Sequence, residues 1–156
     1  MCRMKRVYAR EEVCAGCKLC EVYCAVAHSE YPNDIVKAFL KQAEKPIARV
    51  IVEENKPVSF ALQCRHCVDA PCTTACITGA MQKDPVTGIV TNQEDRCVGC
   101  WTCILVCPFG SIKRDEGVHK VASKCDLCSN TVGGNPVCVQ NCPNDALVFT
   151  DEPWRR

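Results

Sequence analysis

Apolar positions along this chain come in short runs and never in a long stripe. VYA near residue 8 and ALVF at 146–149 stand near opposite ends of the sequence, and both read as short strands. Their pairing would close the molecule. Residues 79–92, GAMQKDPVTGIVTN, read as a hairpin, two short strands around the turn formers Asp84, Pro85 and Gly88. SIKRDEGVHKVA, 111–122, repeats the pattern around Asp115 and Gly117. The one helical period lies in NDIVKAFLKQAEK, 33–45. Asp34 or Asn33 would cap it, Ile35, Ala38, Phe39 and Gln42 share a face, and Pro46 ends it. ARVIVEEN and KPVSFALQ then read as two further strands. This is an α+β pattern with little apolar material for a conventional core.

Composition shows what replaces that core. The chain carries 17 cysteines among 156 residues, above the roughly 8–10% at which a short secreted chain reads as disulfide-stapled. The secreted reading fails, because MCRMKRVYAREEVC has charges but no apolar run of signal-peptide length behind them. No stretch approaches the roughly 18 apolar residues of a membrane span. The expected compartment is therefore the reducing cytoplasm, where dense cysteine means metal or catalysis.

The cysteines obey one rule. Block one is Cys14, Cys17, Cys20 and Cys24; block two is Cys64, Cys67, Cys72 and Cys76. Block three is Cys97, Cys100, Cys103 and Cys107; block four is Cys125, Cys128, Cys138 and Cys142. Every block opens with C-x2-C and closes with C-x3-C, and only the central gap varies, at two, four, two and nine residues. Repetition this strict marks a duplicated unit. In block four the wide gap holds Gly133, Gly134 and Pro136 and can loop out without disturbing the ligands at either end.

Spacing discriminates among the chemistries. C-x2-C in a tight loop points two sulfurs at a common centre, which argues against disulfides to distant partners. Structural zinc also uses such pairs, but it has no need of a third cysteine three residues on. C-x2-C-x2-C in blocks one and three wraps three thiolates around a body larger than an ion. The fourth cysteine lies a helical turn further and faces a neighbouring site. With a following proline, as in Cys107-Pro108 and Cys142-Pro143, this is the bacterial ferredoxin run, whose fourth cysteine serves the other cluster of a pair. Sixteen thiolates make four complete [4Fe–4S] sites, and no block has the C-x4-C-x2-C order of plant-type [2Fe–2S] proteins. Four such clusters would make the formally +1 chain strongly anionic. That argues against a nucleic-acid partner, which wants a basic patch.

The arrangement resembles the four-cluster ferredoxin-like electron-transfer subunits of multi-subunit oxidoreductases. These accompany molybdenum and tungsten enzymes, formate dehydrogenases, hydrogenases and carbon monoxide dehydrogenase. The order of the gaps carries the resemblance, together with LQCRHCVDAPC followed by CVGCWTC, and it spans about residues 5–150. It implies two ferredoxin-like modules with nested pairing. Module A would be 1–30 with 110–156, module B 56–109, and 31–55 an insert. It implies four ligand sets: Cys14, Cys17, Cys20 and Cys142; Cys125, Cys128, Cys138 and Cys24; Cys97, Cys100, Cys103 and Cys76; and Cys64, Cys67, Cys72 and Cys107. Blocks one and two depart from the run in having Ala25 and Ile77 where a proline would follow, so their local turns are expected to differ.

The remaining residues offer no catalytic apparatus. There is no nucleotide fingerprint and no phosphate loop, and four protein ligands per cluster leave no iron open for substrate. The expected function is single-electron transfer, as a non-catalytic subunit serving a tungsten aldehyde oxidoreductase, formate dehydrogenase, hydrogenase or carbon monoxide dehydrogenase. A further flavin or hydrogenase subunit and self-stacking are open. So are the alternatives of a free soluble polyferredoxin and a structural zinc-binding interaction module. Segment 33–63 is the expected docking surface, and anchoring in a membrane through this chain is not expected. Cys2 reads as an exposed terminal thiol, and His66, inside CRHC, as a hydrogen-bonding or steric neighbour of a sulfur. His28 and His119 belong to no motif. Trp101 reads as a shield over a cluster. Lys18, Arg65, Lys124 and Asp126 read as solvated charges that are near enough to ligands to tune them.

Overall fold

A computed structural model describes residues 4–117, 120–129 and 134–151; Cys2 and His119 lie outside them. Strand β1, Arg6–Ala9, opens the described chain, and a 3₁₀ turn at Glu11–Val13 leads into block one. Helix α1 is Leu19–Ala27 and α2 is Ile35–Leu40. Strands β2, Ile51–Asn55, and β3, Val58–Leu62, precede the short α3, Pro71–Thr74. Then come β4, Met81–Lys83, β5, Val90–Asn92, a second 3₁₀ turn at Glu94–Arg96, and α4, Thr102–Leu105. The chain finishes with β6, Ile112–Arg114, β7, Ala122–Lys124, α5, Val137–Gln140, and β8, Leu147–Thr150.

The strands form four separate antiparallel pairs. β1 lies on β8, with Val7 opposite Phe149 and Ala9 opposite Leu147, so the two distant apolar runs do pair. Arg10 N–H extends that closure by donating to Ala146 O at 2.8 Å. The hairpin expected at 79–92 is β4 on β5, Met81 opposite Asn92. Asp84 builds its turn, its carboxylate accepting from Val86 N–H at 2.7 Å and the Thr87 hydroxyl at 2.8 Å. β6 on β7 is the second hairpin, Ile112 opposite Lys124. β2 on β3 is the third, Ile51 opposite Leu62.

The helix expected over 33–45 is shorter, covering only Ile35–Leu40. Asp34 caps it as expected, accepting from Lys37 N–H at 2.9 Å. Of its expected apolar face only Ala38 is buried, while Ile35 and Phe39 are exposed and Gln42 falls beyond the end. A helix with so little burial has no tertiary packing to extend it, and Pro46 disfavours helical Lys45. The sequence pattern also concealed α1, because its apolar period is written largely in cysteines.

Buried residues gather in two small cores. One combines Val7, Val50, Val52, Ala61, Leu127 and Leu147 with Cys20, Cys24, Cys64, Cys125 and Cys138. The other combines Ala70, Met81, Val90, Ile112 and Ala122 with Cys72 and Cys103. Cysteine supplies a large share of both, so the interior is organised around sulfur. The 33–63 segment is no appendage either. Ser59 Oγ donates to Cys14 O at 2.7 Å, Val52 N–H to Glu21 Oε1 at 2.6 Å and Gln63 Nε2 to Val7 O at 2.7 Å. Strands β2 and β3 therefore hold block one in place, while most of α2 and the tip of the β2–β3 hairpin face outward.

Candidate metal centres

Each cysteine block is a turn followed by a helical segment. In blocks one and three the turn needs a glycine: Gly16 has φ +65° and Gly99 φ +64°. A Cβ on Gly99 would stand 2.4 Å from Lys120 O, so the close approach alone excludes any side chain. The residues after the second cysteine, Lys18 and Trp101, are also left-handed, at φ +60° and +61°. These reversals turn the first two sulfurs back towards the third, Cys20 or Cys103, which sits in the first turn of the helix.

The sulfurs then meet across blocks. Cys14, Cys17, Cys20 and Cys142 line a small cavity beside Val52 and Leu147. Cys97, Cys100, Cys103 and Cys76 line another beside Met81 and Trp101. Burial pushes the Cys138 thiol upward, and the charges of Cys125, Cys24, Cys128 and Cys20 push it further. Burial likewise raises Cys72, with Cys64, Cys107 and Cys67 adding to it. Fourth cysteines from other blocks thus stand beside block one and block three, at Cys142 and Cys76.

The sets follow one another. Cys138 feels Cys20, Cys125 feels Cys64, and Cys103 feels Cys72. The order is the Cys14 set, the Cys125 set, the Cys64 set and the Cys97 set. Each outer set has one exposed sulfur, Cys17 and Cys100 respectively. Of the inner sets, Cys24, Cys64, Cys72, Cys125, Cys128 and Cys138 are buried, while Cys67 and Cys107 are partly exposed. Trp101 lines the last cavity with its ring partly covered by Arg114, whose guanidinium lies 5.4 Å from the ring centroid.

The donor chemistry suits thiolate. Arg49 N–H donates to Cys24 Sγ and Ala146 N–H to Cys142 Sγ, both at 3.2 Å. His66, Met81 and Leu127 N–H groups donate to Cys64, Cys76 and Cys125 at 3.4 Å. The Thr102 hydroxyl donates to Cys100 at 3.5 Å and, with its own N–H, lowers that thiol's value. Such donors favour the ionised sulfur. Against them stands desolvation, which pushes Cys20 up to about 12 and Cys103 up to about 11. A buried sulfur in this chain needs a cation to remain a thiolate.

The charged residues beside the ligands divide between interior and surface. Lys124 and Asp126, expected on the surface, are largely inside: Lys124 is 3% exposed, and the Asp126 side chain 15%. Asp126 accepts from Arg49 Nη1 at 3.0 Å and pairs with His28 Nε2 at 3.2 Å. Burial works against the Asp126 charge, but the His28 hydrogen bond and Arg49 outweigh it and hold the carboxyl well below its usual range. His28, without a motif, is therefore a tie between block one and block four. Its partner is 98 positions away in sequence, so no local pattern exposes the tie. Lys18 and Arg65 differ from this pair: Lys18 is exposed and bonded to Glu54 at 2.9 Å, and the Arg65 guanidinium lies 5.7 Å from the Phe109 ring centroid.

Donor chemistry of this kind defines a class: proteins that hold metal on thiolate sulfur. Residues 56–152 match the family described as the 4Fe–4S dicluster domain. An iron–sulfur protein of Rhodospirillum rubrum is 40% identical, the match covering 93% of this chain and 81% of that protein. The electron transport protein HydN of Escherichia coli K12 is 35% identical over 93% of this chain and 87% of its own length. Among solved structures, a chain of the active site complex BamBC of benzoyl coenzyme A reductase is similar in fold, with TM-score 0.50 and 23% identity. That match covers 94% of this chain and 79% of the other. The chain belongs to the 4Fe–4S dicluster domain family.

Proposed function

We propose that this protein is an electron-transfer subunit that carries single electrons through four [4Fe–4S] clusters between a catalytic oxidoreductase subunit and an electron acceptor or donor. One observation supports the reading: cysteines of distant blocks line common cavities, Cys142 with Cys14, Cys17 and Cys20, and Cys76 with Cys97, Cys100 and Cys103. The ligand sets are Cys14, Cys17, Cys20 and Cys142; Cys125, Cys128, Cys138 and Cys24; Cys64, Cys67, Cys72 and Cys107; and Cys97, Cys100, Cys103 and Cys76. A bound cluster of this kind supplies one-electron storage at a potential set by its surroundings. The protein contributes the rest. Its thiolates hold the iron, its N–H groups stabilise charge on sulfur, and its small apolar cores keep water from the inner sets.

Nested modules, blocks one with four and two with three, are supported by β1 on β8 and by the packing of α1 on α5 and α3 on α4. A membrane span of this chain is not part of the reading, since no helix among the described residues is long and apolar enough to cross a membrane. Anaerobic isolation tests the core claim. Expected are a brown protein with about sixteen iron and sixteen sulfide per chain, four reducible centres by EPR, and co-purification with a larger redox subunit. A pale, zinc-loaded chain that is fully folded sinks it. Within 33–63 the surface open to the partner is α2, where Val36 is 64% and Leu40 79% exposed. Val36→Glu with Leu40→Glu is expected to reduce co-purification while leaving iron content unchanged.

A further inference from the structure

Lys124 ends β7 with its side chain inside the protein, 3% exposed. Its ammonium donates to two backbone oxygens, Val90 O and Cys125 O, the latter at 3.0 Å. An ammonium has three N–H donors, and among the described residues no carboxylate pairs with this one. A buried charge without a counter-ion costs several kcal/mol, on the order of what a small domain has in total. A chain that keeps such a charge must have an anion for it.

The surroundings locate that anion. Lys124 donates to the backbone oxygen of Cys125, in one inner set, and shares Val90 with His66, whose N–H donates to Cys64 Sγ at 3.4 Å, in the other. It therefore stands at the boundary between the two inner sets. His66 adjoins it through the same residue, since Val90 N–H donates to His66 Nδ1 at 3.0 Å while Val90 O accepts from Lys124. His66 is 0% exposed, and its Nε2 has no hydrogen-bond partner among the described residues. Nδ1 accepts, so a neutral ring carries its hydrogen on Nε2. Two donors thus lie buried together at the inner boundary without protein acceptors for all their hydrogens.

We propose that the Lys124 ammonium is the internal counter-charge of the two inner clusters and holds their reduction potentials up. This rests on the reading of the sixteen thiols as cluster ligands. Each added electron makes a cluster more negative, and a fixed buried cation stabilises the reduced form more than the oxidised one. Each outer set has an exposed cysteine, Cys17 or Cys100, where solvent screens charge.

The test is an EPR-monitored redox titration of anaerobically loaded full-length protein, wild type against Lys124→Gln and Lys124→Arg. Cys17→Ser and Cys100→Ser identify the two outer spectra. Lys124→Gln is expected to shift the reduction equilibrium of the two inner centres at least tenfold towards oxidised, about 59 mV for one electron, leaving the outer two in place. Lys124→Arg keeps the wild-type potentials. A smaller shift, or an equal shift in all four centres, overturns the proposal. Where Lys124→Gln does not load, wild-type protein carrying ¹⁵N at lysine Nζ decides. A ¹⁵N hyperfine coupling on the inner spectra supports the proposal, and its absence overturns it. A wild-type chain that takes up zinc and no iron removes the ligand reading itself, an outcome distinct from a loaded chain with unmoved potentials.

Discussion

The inner and outer thiol sets use the same spacing rule but live in different media. The inner sets have six buried sulfurs, a buried lysine at their boundary and the His28–Asp126–Arg49 network across the chain ends. The outer sets each leave one sulfur in solvent, and the last is shielded by an aromatic ring under a guanidinium. The lesson is that spacing determines how the sulfurs are grouped along the chain, whereas burial determines which of them solvent reaches.

Complete removal of iron is the harshest way to break this contrast, because both kinds of site then vanish. Sulfur forms much of both small cores, so anaerobic chelation is expected to abolish the folded far-UV CD signal. A chain that stays folded would show that the aliphatic residues suffice.

Single ligands come next. Cys138→Ser strikes a buried sulfur within reach of Cys125, Cys24 and Cys128, and is expected to cost most of the bound iron and the cooperative thermal transition. Cys17→Ser, at an exposed sulfur, is expected to leave the fold and affect one outer centre. Iron content and thermal CD of the two variants measure the difference; equal losses would erase the distinction.

Loading should also depend on pH. Burial raises the metal-free thiols, Cys20 to about 12 and Cys103 to about 11, so they are protonated near neutrality. Cluster binding must expel those protons, and reconstitution yield is expected to rise between pH 7 and pH 9 with measurable acid release. The opposite slope would contradict the buried-thiol picture.

The smallest effect belongs to the outer edge. Thr102→Val removes the hydroxyl that bonds Cys100 at 3.5 Å. One neutral hydrogen bond is worth about 0.5–1.5 kcal/mol, so a few-fold shift of one outer centre towards oxidised is expected, read by redox titration.

Blocks one and three mark how far the sequence could be read. Both have a glycine and a left-handed residue at matching positions, Gly16 with Lys18 and Gly99 with Trp101. Block three stops its helix at Leu105, ahead of Pro108, while block one, with Ala25 after its last cysteine, continues to Ala27. Proline in that place restricts the residue before it and supplies no N–H. The expected difference in local turns is present there. In block two it is not, since α3 ends at Thr74 although Ile77 replaces the proline. The hairpins and the β1–β8 closure were legible because strand length and turn chemistry are local signals. The length of α2 was not, because burial decides how far a marginal helix continues.

Sequence alone determined the sulfur inventory, its division into four blocks and the turns that aim three sulfurs at one point, since all of these follow from bonded geometry over a few residues. Only the tertiary structure decided which cysteines are buried and that Lys124 and Asp126 lie inside. Those outcomes depend on distant segments excluding water from a common space, and solvation is a property of the assembled chain.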